Sequence, residues 1–219
     1  MMTDPLPDTE LCSLEIEGAV ARLTLRRPDV FNAMNIQMIS EIISLLDWTE
    51  KRSVARMSNL VDNSGNPCIR VLIFSGDGRH FCAGADINMM RDAGAKSPEE
   101  NRIDSERLDR LFNSLWAHPC FTIGIVQGVA LGGGAGLVAC LDHVIVEPRT
   151  RIALSEGKLG ILPAVIGPYV HRRVGSSQFR RLAMLAGRID AEEALRIGMV
   201  DQAEDSTEAA HEAVSDVIE

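Results

Sequence analysis

The chain has 219 residues, 46% of them hydrophobic, and a formal net charge of −9 at pH 7. It is long enough to bury one full core. Its acidity excludes a nucleic-acid backbone as the main partner, since such binders present a clustered basic face.

No apolar run reaches the length of a membrane span, so no membrane partner is expected. Five cysteines (Cys12, Cys68, Cys82, Cys120, Cys140) are scattered without a C-x-x-C pair, which points to reduced thiols, no metal site and a cytoplasmic setting. Residues 1–10, "MMTDPLPDTE", are acidic and lack an apolar stretch. No signal or transit peptide is expected there, and the stretch reads as a flexible tail. Residues 14–25, "LEIEGAVARLTL", predict two short strands turning at Glu17-Gly18. "RRPDVFNA" breaks the pattern. Beyond it Ile36, Ile39, Ile43 and Leu46 recur at helical spacing behind Asn35, a cap residue. "VDNSGNP" is a loop with the look of a local insertion, and "CIRVLIFSG" is a buried parallel strand. "DGRHFCAGADINMM" is a loop leading into a helix. Ser97, Pro98 and Glu100 predict a capping-box helix running to about Trp116.

"CFTIGIVQG" is a second buried strand. A glycine segment follows, then strands at "HVIV" and "RIALSEG". "GPYVHRRVG" and "SSQFRRLAMLAG" predict two helices, and Asp190 caps another at "AEEALRI". The alternation of strands and helices gives an α/β fold. The last segment, "STEAAHEAVSDVIE", is a capped helix pattern with no C-terminal stop signal. A C-terminal helical region that is short or truncated is therefore expected.

The glycine segment, residues 128–142, "GVALGGGAGLVACLD", holds five glycines in fifteen residues. An ordinary helix would lose about 1 kcal/mol at each of them relative to alanine. A strand, then glycines, then a short helix leaves backbone N–H groups free at a positive helix terminus, with no side chains to keep a ligand away. Phosphate binding and an oxyanion hole both fit. "GAGLVA" matches G-x-G-x-x-A, with Glu156 about twenty residues on as a ribose-binding acid. The helix that follows is too short for a dinucleotide crossover, however, and no Walker motif or G-x-S-x-G elbow is present. A second small-residue turn, "HFCAGAD" at residues 80–86, also follows a buried strand. Two separated donors aimed at one oxygen are what a thioester enolate requires.

"FCAGADI", "ALGGGAGL" and "SEGKLGILP", flanked in order by "LRRPDVFNAMN" and "AEEALRIGMVD", resemble the enoyl-CoA hydratase/isomerase, or crotonase, superfamily from about Val20 to Gln202. The resemblance implies a crotonase-like spiral of ββα repeats over residues 11–200, with residues 201–219 beginning the C-terminal helical region. It implies an acyl-CoA thioester substrate, no cofactor other than the coenzyme A that the substrate carries, and a homotrimer or dimer of trimers. The backbone N–H groups of Ala85 and Gly133 would form the oxyanion hole, with Gly132 letting the thioester approach. Ala83, Asp86 and Ile87, with Asn32 and Ala33, would contact coenzyme A.

Family hydratases carry two glutamates. One falls at Glu156, expected as the acid/base. The other falls at Gly136, where this chain has no carboxylate. Hydration proceeds most easily with two carboxylates, whereas a double-bond shift needs one. On the other hand, "LSEGKLGILPAVIGPYVHRRVG" resembles bacterial hydratases acting on methylglutaconyl-CoA, which commonly lack the first glutamate. Hydratase ranks first, Δ3,Δ2-enoyl-CoA isomerase second, and a non-catalytic acyl-CoA-binding protein third. Gly157 departs from the bulkier residue usual after the glutamate. Cys82, His80, His118, His143, Trp48 and Trp116 are read as structural, and Asp142 as ordering backbone. The basic stretch at 171–181 reads as a solvated helix face that could alternatively meet phosphates or an acidic acyl tail.

Overall fold

The computed structural model describes residues 4–218. Strands β1 (Cys12–Glu17) and β2 (Val20–Leu25) form an antiparallel hairpin in which Glu17 faces Val20. The turn falls on Gly18-Ala19, one residue later than the sequence suggests. Gly18, at φ +56°, takes the first turn position, where a tight hairpin favours glycine. The remaining strands are β3 (Val71–Gly76), β4 (Phe121–Val126), β5 (Val129–Leu131), β6 (His143–Val146), β7 (Arg151–Ala153) and β8 (Gln202–Ala203). The main sheet runs β1-β2-β3-β4-β6-β8 and is parallel from β2 onward. β5 and β7 pair in a second layer, which single bridges extend at Met34–Ala85, Cys82–Ala130 and Ile152–Ile189. Successive turns of the chain thus give a strand to the first layer, an extended segment to the second, and a helix. This is the expected α/β spiral of ββα units.

The helices are α1 (Ile36–Lys51), α2 (Val54–Met57), α3 (Ile87–Ala93), α4 (Pro98–Trp116), α5 (Gly133–Cys140), α6 (Gly167–Leu185), α7 (Ala191–Arg196) and α8 (Thr207–Ile218). The expected caps are made. Asn35 accepts from Met38 N at 2.8 Å, Ser97 and Glu100 close a full capping box, and Asp190 accepts from Glu193 N at 2.9 Å. α6 contains the two helices read from sequence, broken at Gly175 (φ 76°, ψ 168°). Its basic stretch is not a plain solvated face. Arg173 bonds Met199 O, Asp201 and Leu141 O, the last placing a cation at the C-terminus of α5. Arg181 pairs with Glu193, and Arg172 stacks over Trp116 with 4.0 Å to the ring centroid.

Two boundary expectations change. Residues 4–10 form no regular structure, yet they are tied down: Trp48 Nε1 donates to Pro5 O (3.0 Å) and Arg52 to Asp4 O (2.7 Å). Nor does the core stop at residue 200. β8 extends the main sheet, and α8 packs Ala210, Ala213 and Val214 on Ile73, Ile123, Ile125 and Ile145. Leu72 and Phe74 of β3 point to the other side, into the larger core under α1, α4 and α5. Both faces of β3 are covered, which is why its sequence is a continuous apolar run rather than an alternating one.

His118 is a buried structural histidine. Cys120 N donates to its Nδ1 (3.3 Å), so the ring hydrogen sits on Nε2 and bonds Thr49 Oγ1 at 3.0 Å. Burial lowers its pKa below the ordinary 6.5. A lowered folded value means that the unfolded chain binds the proton more readily. Stability is therefore full above the unfolded pKa and is lost as pH falls through it. The urea midpoint should drop as pH is taken from 7 to 5.5, and His118→Asn should flatten that slope.

Candidate active site

Past β3 the chain turns back and runs residues 81–86 beside β5, with Cys82 N donating to Val129 O and Leu131 N to Cys82 O, each at 3.0 Å. The same segment pairs with Met34: Met34 N donates to Gly84 O (2.7 Å) and Asp86 N to Met34 O (2.9 Å). These bonds flank Ala85 and leave its own N–H without a partner among the described residues. Gly133 opens α5, and as a first-turn residue it has no intrahelical acceptor. Its N–H is likewise unpaired among the described residues. The two turns are in contact. A Cβ on Gly84 (φ +96°) would stand 3.4 Å from Gly133 N and 2.6 Å from Leu131 O. Only glycine permits both this conformation and this approach.

Glu156 lies in the 3-10 turn Ser155–Leu159 that follows β7. Gly132 donates to Ala153 O (2.8 Å) and adopts φ 50°, ψ −116°. A Cβ there would lie 3.2 Å from Glu156 Oε1, so the carboxylate sits directly against the glycine turn. Oε2 is buried with no hydrogen-bond partner, and burial pushes the carboxyl pKa up. A buried carboxylate oxygen without a partner is costly to hold. Gly157 allows this placement. A Cβ on it would meet Ala183 O at 3.0 Å and Ala186 Cβ at 3.1 Å, so the Glu156 turn packs close on the end of α6.

The place of a second carboxylate is closed. A Cβ on Gly136 would lie 2.4 Å from Ile166 Cγ2 and 2.9 Å from Phe112 Cε1. Introducing glutamate by itself therefore does not install a second acid. Gly136→Glu should destabilise the fold by overpacking, at least by the ~1–3 kcal/mol typical of that strain, as read by chemical denaturation.

The expected coenzyme residues divide in two. Asn32 is fully buried, and its side chain is spent on the fold: it accepts from Arg27 N (2.8 Å) and donates to Asp77 O (2.9 Å) and His80 O (2.8 Å). Asp86 caps α3 through Asn88 N (2.9 Å) and pairs with Arg27 (3.0 Å). The Asn88 bond, followed by Arg27, holds its pKa low against the effect of burial. Both side chains clamp the loop that aims Ala85 and are not free for a ligand. Arg27 completes the clamp by donating to Ala33 O at 2.5 Å, a link with no sequence signal. Ala33, Ala83 and Ala85 are half-buried and Ile87 is 73% exposed, so these remain open to a ligand.

Asp142 orders backbone, accepting from Thr122 N (2.8 Å) and Thr122 Oγ1 (2.9 Å). Cys82 is buried, with its thiol pushed up to about 12. Among the described residues, no three His, Cys, Asp or Glu side chains gather as metal ligands do, and no helix is long and apolar enough to cross a membrane.

Two backbone N–H groups without partners among the described residues, beside a half-buried carboxylate on a spiral of ββα units, are the arrangement expected of the crotonase class. The family model described as enoyl-CoA hydratase/isomerase matches residues 15–218, and the chain belongs to that family. It is 32% identical over 191 residues to a crotonyl-CoA hydratase of Syntrophomonas wolfei, covering 86% of this chain and 67% of the relative. It is 31% identical over 192 residues to the 1,2-epoxyphenylacetyl-CoA isomerase of Escherichia coli, covering 87% and 68%. The crystal structure of an enoyl-CoA hydratase from Shewanella pealeana superposes with a TM-score of 0.84 at 35% identity, covering 95% of this chain and 74% of that one.

Proposed function

We propose that the protein is an acyl-CoA enzyme in which Glu156 is the sole proton carrier, and that its reaction is hydration of a 2-enoyl-CoA thioester. The observation that carries this reading is the half-buried Glu156 carboxylate, with Oε2 buried and unpartnered, against the turn that presents the Gly133 N–H. The N–H groups of Ala85 and Gly133 would take the thioester oxygen as it gains charge, each contributing roughly 3 kcal/mol at the transition state. Polarisation of the thioester makes the β-carbon electrophilic. Glu156 accepts the proton of the attacking water and returns it to the α-carbon. Its raised pKa suits both transfers. No cofactor is needed beyond the coenzyme A of the substrate.

The closed position at Gly136 favours a second reading, in which Glu156 shuttles one proton across an allylic system and shifts the double bond. A panel of 2- and 3-enoyl-CoA thioesters, led by 3-methylglutaconyl-CoA, incubated in ¹⁸O-labelled water separates the two. Gain of labelled oxygen supports hydration. A shifted double bond without oxygen supports isomerisation. An unchanged panel with tight thioester binding would leave only the binding protein.

The same reading includes self-assembly as a trimer or dimer of trimers. Leu159, Ile161, Leu162, Met184 and Leu185 are exposed on the Glu156 turn, just beyond it, and at the end of α6 that packs against it. Exposed apolar surface of this kind marks contact sites. Light scattering should give a trimer or a multiple of it, and a stable monomer would end that part of the reading.

A further inference from the structure

A lone carboxylate leaves hydration one group short, because water must be held and aimed as well as deprotonated. The position that supplies the second acid elsewhere in the family is filled here by Ile166 and Phe112. The polar side chain that does reach the site is Ser155. A Cβ on Gly132 would lie 3.2 Å from Ser155 Oγ and 3.2 Å from Glu156 Oε1, the nearest described atoms outside the glycine's own stretch of chain. The two oxygens therefore flank one point over the glycine turn that presents the Gly133 N–H, without bonding each other. Ser155 is half-buried, and its hydroxyl makes no hydrogen bond among the described residues, although the backbone around it is fixed by β7 and the 3-10 turn. One water can bond both oxygens at ~2.8 Å provided they stand no more than ~5.6 Å apart, which a shared 3.2 Å distance to one point allows.

We propose that Ser155 is a second catalytic residue, whose hydroxyl, together with Glu156, holds the water that adds to the β-carbon. The inference rests on Glu156 being the proton carrier. Ser155 Oγ accepts one hydrogen of the water and Glu156 the other, which turns an oxygen lone pair toward the β-carbon. The C–O bond forms as the α,β π pair moves into the enolate, and the carbonyl π pair passes to the oxygen under the Ala85 and Gly133 N–H groups. The water's proton goes to Glu156 and from there to the α-carbon as the enolate collapses. The balance is one water across one double bond. Proton exchange at the α-carbon of a saturated thioester uses the oxyanion hole and Glu156 but no water addition, so the two activities separate the roles.

Ser155→Ala is the test, with two readouts. Hydration of crotonyl-CoA and 3-methylglutaconyl-CoA is followed by oxygen-18 uptake, and α-proton exchange of butyryl-CoA by deuterium uptake. The variant should lose roughly 10- to 100-fold in hydration, the loss of one aimed hydrogen bond, while exchange stays within a few-fold of wild type. Hydration within a few-fold of wild type overturns the proposal. Hydration and exchange falling together would make Ser155 a support for Glu156 and also overturn it. A wild-type protein that fails to exchange butyryl-CoA overturns the Glu156 reading itself, and this inference with it.

Discussion

Glu156→Gln should lower turnover by roughly 10²- to 10⁴-fold, the range for loss of a general acid/base, while leaving acyl-CoA affinity nearly unchanged. Glutamine keeps the shape of the group that rests against Gly132. The contacts expected to bind the thioester are backbone N–H groups, which the substitution does not touch. Stability should move the other way. Burial raises the Glu156 pKa, so the ionised form is disfavoured in the fold, and stability is lost as pH rises through the unfolded carboxyl value. A neutral amide removes that burden. The variant should melt no lower than wild type at pH 7. The same raised pKa places the acid limb of the wild-type kcat/KM profile above the ordinary carboxylate range, because the base must be ionised to accept the water's proton. Undiminished turnover in Glu156→Gln would overturn the mechanism.

Gly133→Pro should cost ~10²–10³-fold in kcat, the loss of one oxyanion donor. The structure sharpens this expectation. Gly133 is the first residue of α5, a position where proline is accepted because that N–H has no helical partner. The nearest obstacle to a Cβ there is the terminal methyl of the unbranched Met34 side chain, at 2.8 Å. The fold should therefore survive, with Cδ occupying the space in front of the lost donor. Circular dichroism close to wild type with kcat down ~10²–10³-fold is the expected pair of results. Activity within a few-fold of wild type would place the oxyanion hole elsewhere.

Much of this was legible in the sequence because its signals are local. Asn35, Ser97 with Glu100, and Asp190 cap helices through bonds that close within three residues, so spacing alone reports them. β3 and β4 are buried on both faces and announce themselves as apolar runs. The second layer was harder to read. β5 and β7 are three residues each, and the bridges at Met34, Ala85 and Cys82 are single pairs, too short for a period to show. The roles of Asn32 and Asp86 were hidden for another reason. Their partners, His80 and Arg27, lie 48 and 59 residues away in the chain, and a polar residue bonded across that distance looks the same in sequence as one offered to a ligand. The contribution of α8 to the core was also missed, because the sheet face it covers is assembled from β3, β4 and β6 together. The unpaired N–H groups at Ala85 and Gly133 are a property of backbone direction and carry no residue signature of their own.

The contact between Gly136 and Ile166 also constrains how this site can change. Three positions are coupled: a carboxylate at 136 finds room only after both Ile166 and the Phe112 ring, 2.9 Å from the new Cβ, have given way, and shrinking Ile166 first opens a hole behind a glycine. Each single step should cost stability, and the cost at 136 should shrink once Ile166 is smaller, so a double-mutant cycle across 136 and 166 should be strongly non-additive. One- and two-carboxylate versions of this site are then separated by single steps that each cost stability. A mutagenesis campaign that samples substitutions one at a time would discard each part before the combination could be tried.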